Sequence, residues 1–111
     1  MNQGEIWLVD FAPKVGEEID KKRPALIVSN NSIGRLRLKV VVPISNPSAT
    51  VQSWHICIDP DGTNGLSKSR IADCFQVKSI SNDRFVKKLG VLSEDDMDEV
   101  KIGLAKVLDL L

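Results

Sequence analysis

Pro24-Ala25-Leu26-Ile27-Val28-Ser29 is a nearly continuous apolar run, with Lys22-Arg23 before it and Asn30-Asn31-Ser32 after it. A short run with apolar residues at both parities is covered on both of its faces, the mark of a buried strand. Downstream, the asparagines and Gly34 supply turn chemistry. Leu38 to Ile44 then forms a second buried strand, which stops at Asn46-Pro47-Ser48. Upstream, Ile6-Trp7-Leu8-Val9-Asp10-Phe11 is rich in β-branched and aromatic residues and ends at Pro13, so it is also a strand. The polar stretch Lys14 to Arg23 between them is a loop of about ten residues, longer than a tight hairpin needs.

The pattern continues toward the C-terminus. Trp54 to Asp59 alternates, Pro60 to Gly65 is a turn-rich loop, and Ser69 to Ile80 is extended with an expected break near Lys78-Ser79. The last element is different. Ser93 followed by Glu94, Asp95 and Asp96 predicts a helix N-cap with acids in the first turn, where the helix dipole favours them. Met97, Val100, Leu104, Val107 and Leu111 recur at spacings of three and four, with Leu108 alongside, so one face of that helix docks on a core or an interface. Many short strands followed by one helix, with no βαβ alternation and no repeat, predict a mainly β protein with some α: a partly closed β-barrel with a C-terminal amphipathic helix.

The 111 residues are expected to form one domain, residues 1–111, with a core small enough that oligomerisation would help it. No apolar run reaches the roughly 18 residues of a membrane span, and the N-terminus lacks the basic and apolar regions of a signal peptide. A cytoplasmic protein without membrane contact is expected. Cys57 and Cys74 are 17 residues apart, outside any CxxC pattern, and read as reduced thiols on strands. With one histidine and two scattered cysteines, no closed zinc site is expected, and no metal or cofactor. The charge is balanced overall but unevenly placed. Residues 93–111 carry a net −4 and residues 1–92 a net +4, so the body could hold a short oligonucleotide in a cationic groove.

Most catalytic signatures are missing: no GxSxG, phosphate loop, HExxH or dinucleotide fingerprint occurs. A two-histidine ribonuclease is excluded because His55 is the only histidine. His55 alternates with apolar neighbours and reads as a structural or exposed residue.

The series Gly4-Glu5-Ile6-Trp7-Leu8-Val9-Asp10-Phe11, Gly16-Glu17-Glu18, and Lys22-Arg23-Pro24-Ala25-Leu26-Ile27-Val28-Ser29 resembles the MazF/PemK family of toxin endoribonucleases, of the Kid-like kind, in type II toxin–antitoxin systems. The resemblance continues in Val42-Pro43-Ile44-Ser45, Gly65-Leu66, Gln76-Val77-Lys78-Ser79-Ile80 and Leu89-Gly90, in the family's order along nearly the whole chain. It implies an SH3-like barrel of the CcdB/MazF type, a homodimer, a single-stranded RNA substrate and a cognate antitoxin protein, with DNA reached only indirectly through the antitoxin complex. Carried over by position, it implies that Arg23 and Ser45 are catalytic, with Glu18 beside them, and that Gln76 belongs to the RNA site. Ser45 stands where threonine is usual, and the hydroxyl survives. Phe75 stands where many members carry an acid before the glutamine, and it cannot ionise. The neighbouring Asp73 shares its strand parity.

This set suits one reaction. RNA carries its own nucleophile, the 2′-hydroxyl, so the enzyme supplies a base, a donor for the departing 5′-oxygen, and positive charge on the phosphorane. The resemblance gives arginine an acid–base role. A guanidinium with a pKa above about 12 is better suited to clamp phosphate oxygens through its planar fork, leaving Glu18 as the base candidate. Lys14, Lys21, Lys22 and Asn46 flank these residues and are the further RNA-binding candidates, while Arg35, Arg37, Lys39 and Lys68 read as solvated charges. Trp7 and Trp54 read as core. The alternative function on the same fold is that of a CcdB-like toxin, which binds gyrase without cutting RNA and has no need of Glu18, Arg23 and Ser45.

Overall fold

The computed structural model describes residues 1–13, 15–19, 21–33 and 36–110. Within them the chain forms seven strands and one α-helix: β1 (Glu5–Asp10), β2 (Lys22–Ile27), β3 (Leu38–Ser45), β4 (His55–Ile58), β5 (Arg70–Asp73), β6 (Lys78–Ser81), β7 (Phe85–Val91) and α1 (Glu94–Leu108). All pairings are antiparallel, in the order β4-β5-β3-β2-β1-β7, with β6 also alongside β3. The sheet curves but does not close, and β4 and β7 are the ends of its path.

Strand β3 organises this arrangement. Its first half, Leu38 to Val41, pairs with β6, while Ile44 and Ser45 pair with Ala72 and Ile71 of β5 on the same edge. A 3-10 turn at Cys74–Gln76 carries the chain from one partner to the other. The break expected near Lys78-Ser79 therefore lies earlier, and Lys78 begins a strand. Local capping is the cause: the Asp73 carboxylate accepts a hydrogen bond from the Phe75 amide at 3.1 Å, which favours a turn over continued extension. Strand β7 also differs from the sequence reading. Lys87-Lys88 breaks its apolar pattern because it lies at the sheet edge, where lysines discourage pairing with other chains.

The apolar run in β2 is buried on both sides, as a strand of that composition must be. Leu26 faces Ile6, Val42, Ile44, Ile58, Ala72 and Cys74, and α1 covers this side with Met97 and Val100. Ala25 and Ile27 face the other way, onto Val9, Phe11, Val41 and Ile80, with Trp7, Ile19 and Phe85 packed around them. Trp7 also meets Phe85 edge-on at 5.8 Å, and Trp54 packs against the helix-covered cluster.

Ser93 caps α1, accepting from the Asp96 amide at 3.2 Å, and Asp109 ends it in a left-handed conformation. The stripe predicted from sequence is used within the chain, since Leu104 and Val107 join Met97 and Val100 on the core. Leu111 lies outside the described residues. The two glycine motifs have a packing reason: a side chain on Gly65 would run into the Leu89 carbonyl, and one on Gly90 into the Thr63 carbonyl. Both cysteines are free, with Cys57 exposed and Cys74 buried; Cys57 lies on β4 and Cys74 in the 3-10 turn rather than on a strand. Among the described residues no helix is long and apolar enough to cross a membrane.

Candidate active site

The two strongest sequence candidates lie at the same end of neighbouring strands. In the β2–β3 ladder Ala25 faces Pro43, Leu26 faces Val42 and Ile27 faces Val41. The ladder ends there, and Arg23 and Ser45 lie two residues beyond its last pair, each of the parity whose side chains project to the face of Ala25 and Val41. On its other side Arg23 pairs with Val9 of β1. Arg23 and Ser45 are both half-buried, at the end of the sheet where β2 begins and β3 finishes.

The face they share holds Ala25, Ile27, Val41 and Val9, the side of the sheet away from the helix. Lys78 pairs with Val41 and so projects from that face as well. The segment between β1 and β2 folds over it, burying Phe11 and packing Ile19 on the cluster. Its tip is tied down by the segment that follows β5. The Gln76 side chain donates to the Glu17 carbonyl at 3.1 Å, and the Lys78 ammonium lies 3.5 Å from the Glu18 carboxylate. Glu18 also accepts from the Val15 amide at 3.2 Å.

The base of the same segment is held from β7's side. Arg84 donates to the carbonyls of Asp10, at 3.1 Å, and Ala12, at 2.6 Å. Phe11 and Lys21 close the neck, the Phe11 amide donating to the Lys21 carbonyl at 3.0 Å. Lys21 itself has φ +65°, a left-handed conformation uncommon for a residue with a side chain.

The structure thus groups Arg23, Ser45, Glu18, Gln76 and Lys78 around one face and its covering segment. Lys21 and Lys22 are exposed at the mouth of β2, and Asn46 is exposed just past Ser45. Lys14, Gly34 and Arg35 lie outside the described residues. Gln76, expected to meet RNA, is engaged with the covering segment. Lys78 was quoted only as part of a motif; the signal that could have singled it out is a lysine starting a strand otherwise made for the core.

Asp73, beside the position where an acid is usual, caps the 3-10 turn and also faces the His55 ring, with Nε2 3.7 Å away. His55 is nearly enclosed, and its Nδ1 accepts from the Gln52 amide at 3.0 Å. Burial, and then the nearby Asp73 charge, push the Cys74 thiol up to about 11, so it is protonated at neutral pH. Among the described residues, no group of three His, Cys, Asp or Glu side chains could hold a metal ion.

This open antiparallel sheet with one C-terminal helix is the fold of solved MazF toxins. The MazF structure from Deinococcus radiodurans superposes with a TM-score of 0.82 at 21% identity, covering 98% of this chain and 96% of that one. A mycobacterial endoribonuclease in complex with its cognate antitoxin gives a TM-score of 0.80 at 20% identity, covering 100% and 97%. In sequence, the chain is 30% identical to endoribonuclease MazF9 of Mycobacterium tuberculosis, over 99% of this chain and 98% of that protein. It is 34% identical to endoribonuclease PemK of Escherichia coli, over 97% and 82%. The profile of the PemK-like, MazF-like toxins of type II toxin–antitoxin systems matches residues 2–108, and the chain belongs to that family.

Proposed function

We propose that the protein is the toxin of a type II toxin–antitoxin pair and an endoribonuclease that cuts single-stranded RNA at particular sequences, without a metal ion. The observation that supports this reading is that Arg23 and Ser45 stand at the same end of the neighbouring strands β2 and β3, on a face covered by the segment whose Glu18 is tied to Lys78. RNA laid along that face meets a guanidinium fork for the non-bridging phosphate oxygens and a hydroxyl donor beside it. Glu18 takes the proton of the 2′-hydroxyl as its oxygen attacks phosphorus. The bond to the 5′-oxygen then breaks; that oxygen takes a proton from solvent and leaves as a hydroxyl, and Glu18 gives its proton back to solvent. The products are a 2′,3′-cyclic phosphate and a 5′-hydroxyl end. Lys21, Lys22, Asn46 and, once the covering segment moves, Gln76 line the path of the strand, and Lys14 is a further RNA-binding candidate by its place in the sequence.

The whole chain, residues 1–111, acts as one domain in the cytoplasm, where the antitoxin occupies the RNA site and carries any contact with DNA. Two copies associate. With Met97, Val100, Leu104 and Val107 of the helix stripe used in the core, an apolar surface open to a second copy is the groove lined by Met1, Ile33, Leu36 and Leu38. The CcdB-like alternative is not favoured, because the relatives are named as endoribonucleases.

Single-turnover cleavage of a defined oligonucleotide in EDTA tests the chemistry. Losing one such donor typically slows a reaction about 10²–10³-fold, so Arg23→Ala should fall at or beyond that range and Ser45→Ala at or below it. Arg23→Lys stays impaired, since an ammonium lacks the fork, whereas Ser45→Thr keeps its hydroxyl and is nearly silent. A substrate with hydrogen in place of the 2′-hydroxyl at the cut site is not cleaved. Cleavage of that substrate, or full activity of Arg23→Lys, would refute the mechanism.

A further inference from the structure

Phe75 is 65% exposed, in the 3-10 turn between β5 and β6. A phenyl ring left so far in water gains little from burial, and Phe75 belongs to neither core cluster. Its ring is nonetheless held in place from behind. Trp54, itself packed on the core, lies 5.6 Å from it at an interplanar angle of 49°. The backbone beneath is fixed by the Asp73 cap at the Phe75 amide. One residue further on, Gln76 reaches the segment that covers the Arg23–Ser45 face. Four residues earlier in the chain, Ile71 pairs with Ser45. Four residues span at most roughly 13 Å, and less here because the 3-10 turn begins at Cys74, so Phe75 lies within the reach of a nucleotide neighbouring one held at Ser45.

We infer that Phe75, backed by Trp54, is a stacking platform for one unstacked base of the RNA and contributes to the choice of sequence cut. The inference rests on the RNA-cleaving reading above. Every base has a π-face, and single-stranded RNA is read by splaying bases onto aromatic rings that are already in position. Phe75 then does a different task from the acid usual at its position: it binds a base flanking the cut and takes no part in proton transfer.

The test uses a non-cleavable oligonucleotide carrying a 2′-deoxy sugar at the cut site, with each other nucleotide made abasic in turn. Stacking on one aromatic contributes about 1–3 kcal/mol, so Phe75→Ala should weaken binding of the intact oligonucleotide roughly 5- to 160-fold. Phe75→Trp keeps the affinity. Removing one particular base should weaken binding to the wild type by a similar factor and leave Phe75→Ala unaffected. If Phe75→Ala fails to fold, Phe75→Leu carries the same comparison, since it stays apolar but has no ring. Identical abasic profiles in wild type and variant overturn the inference and leave the RNA-cleaving reading standing. A changed mass by light scattering in Phe75→Ala would show that the ring serves contact between copies, which also overturns it. A wild type that neither binds nor cuts RNA removes the function and the platform together.

Discussion

Gly103 lies in the buried face of α1, directly over the sulfur of Cys74. A β-carbon added there would sit 2.7 Å from Cys74 Sγ, and 3.4 and 3.5 Å from the Cδ1 and Cγ1 atoms of Ile56. The sulfur contact is about 1 Å shorter than ordinary van der Waals packing, while the Ile56 contacts are ordinary ones. Cys74 has little freedom to retreat, because it is fully buried and its thiol points to the Val100 carbonyl at 3.7 Å. Overpacking of this kind costs about 1–3 kcal/mol, and alanine returns about 1 kcal/mol of helix propensity. Gly103→Ala should therefore lose up to about 2 kcal/mol, or roughly 8 °C in Tm for a domain of this size. In a Cys74→Ala background the obstacle is gone and the propensity remains, so the same substitution should stabilise by up to about 1 kcal/mol. Urea unfolding of the four proteins measures the change of sign as a coupling of about 1–3 kcal/mol. An effect of the same sign and size with and without the sulfur would refute the packing argument.

Three further outcomes follow from local geometry. The left-handed conformation of Lys21 costs a residue with a side chain about 1–2 kcal/mol, partly offset in glycine by its greater freedom when unfolded. Lys21→Gly should be neutral or slightly stabilising in thermal unfolding and Lys21→Val clearly destabilising; a tolerated valine would contradict this. Asp61 accepts hydrogen bonds from the Thr63 and Asn64 amides and the Thr63 hydroxyl, each at 2.9 Å, and these hold its carboxyl below the usual 3.8. The stability it contributes is present above that ordinary value and lost as pH falls through the depressed one. The Tm difference between wild type and Asp61→Ala should accordingly shrink in strong acid, and a gap that widens there would reverse the assignment. Finally, a thiol reagent should titrate Cys57 alone in the folded protein at neutral pH and both cysteines in denaturant; rapid reaction of two thiols in the native state would mean Cys74 is not enclosed as described.

The elements easiest to read in the sequence were those whose pattern and burial agree. The apolar run of β2 is apolar at both parities because both faces of the sheet are covered, and Ser93 with its following acids marks the start of α1 directly. Strand β7 was hidden because, at the edge of the sheet, both Lys87 and Lys88 are exposed although successive residues point to opposite faces, so no apolar alternation marks it. The turn at Cys74–Gln76 depends on one side chain bonding one amide, a choice that strand composition does not record. Within the site, Arg23 and Ser45 were legible as residues, but their placement at the same end of neighbouring strands is a consequence of strand pairing. The tie between Lys78 and Glu18 joins segments 60 residues apart in the chain, and no local pattern encodes it.

The segment that covers the site is secured through its peptide oxygens. Arg84 binds the carbonyls of Asp10 and Ala12 at one end, and Gln76 binds the carbonyl of Glu17 near the other. Every residue type presents the same carbonyl, so these fastenings make no demand on the side chains between them. Apart from Glu18, tied to Lys78, and Phe11 and Ile19, packed on the core, the segment can therefore diverge in sequence while these fastenings are kept. Target preference can change there by drift, without a compensating change in Arg84 or Gln76, and a segment of equal length from a relative should seat on the same two anchors when transplanted.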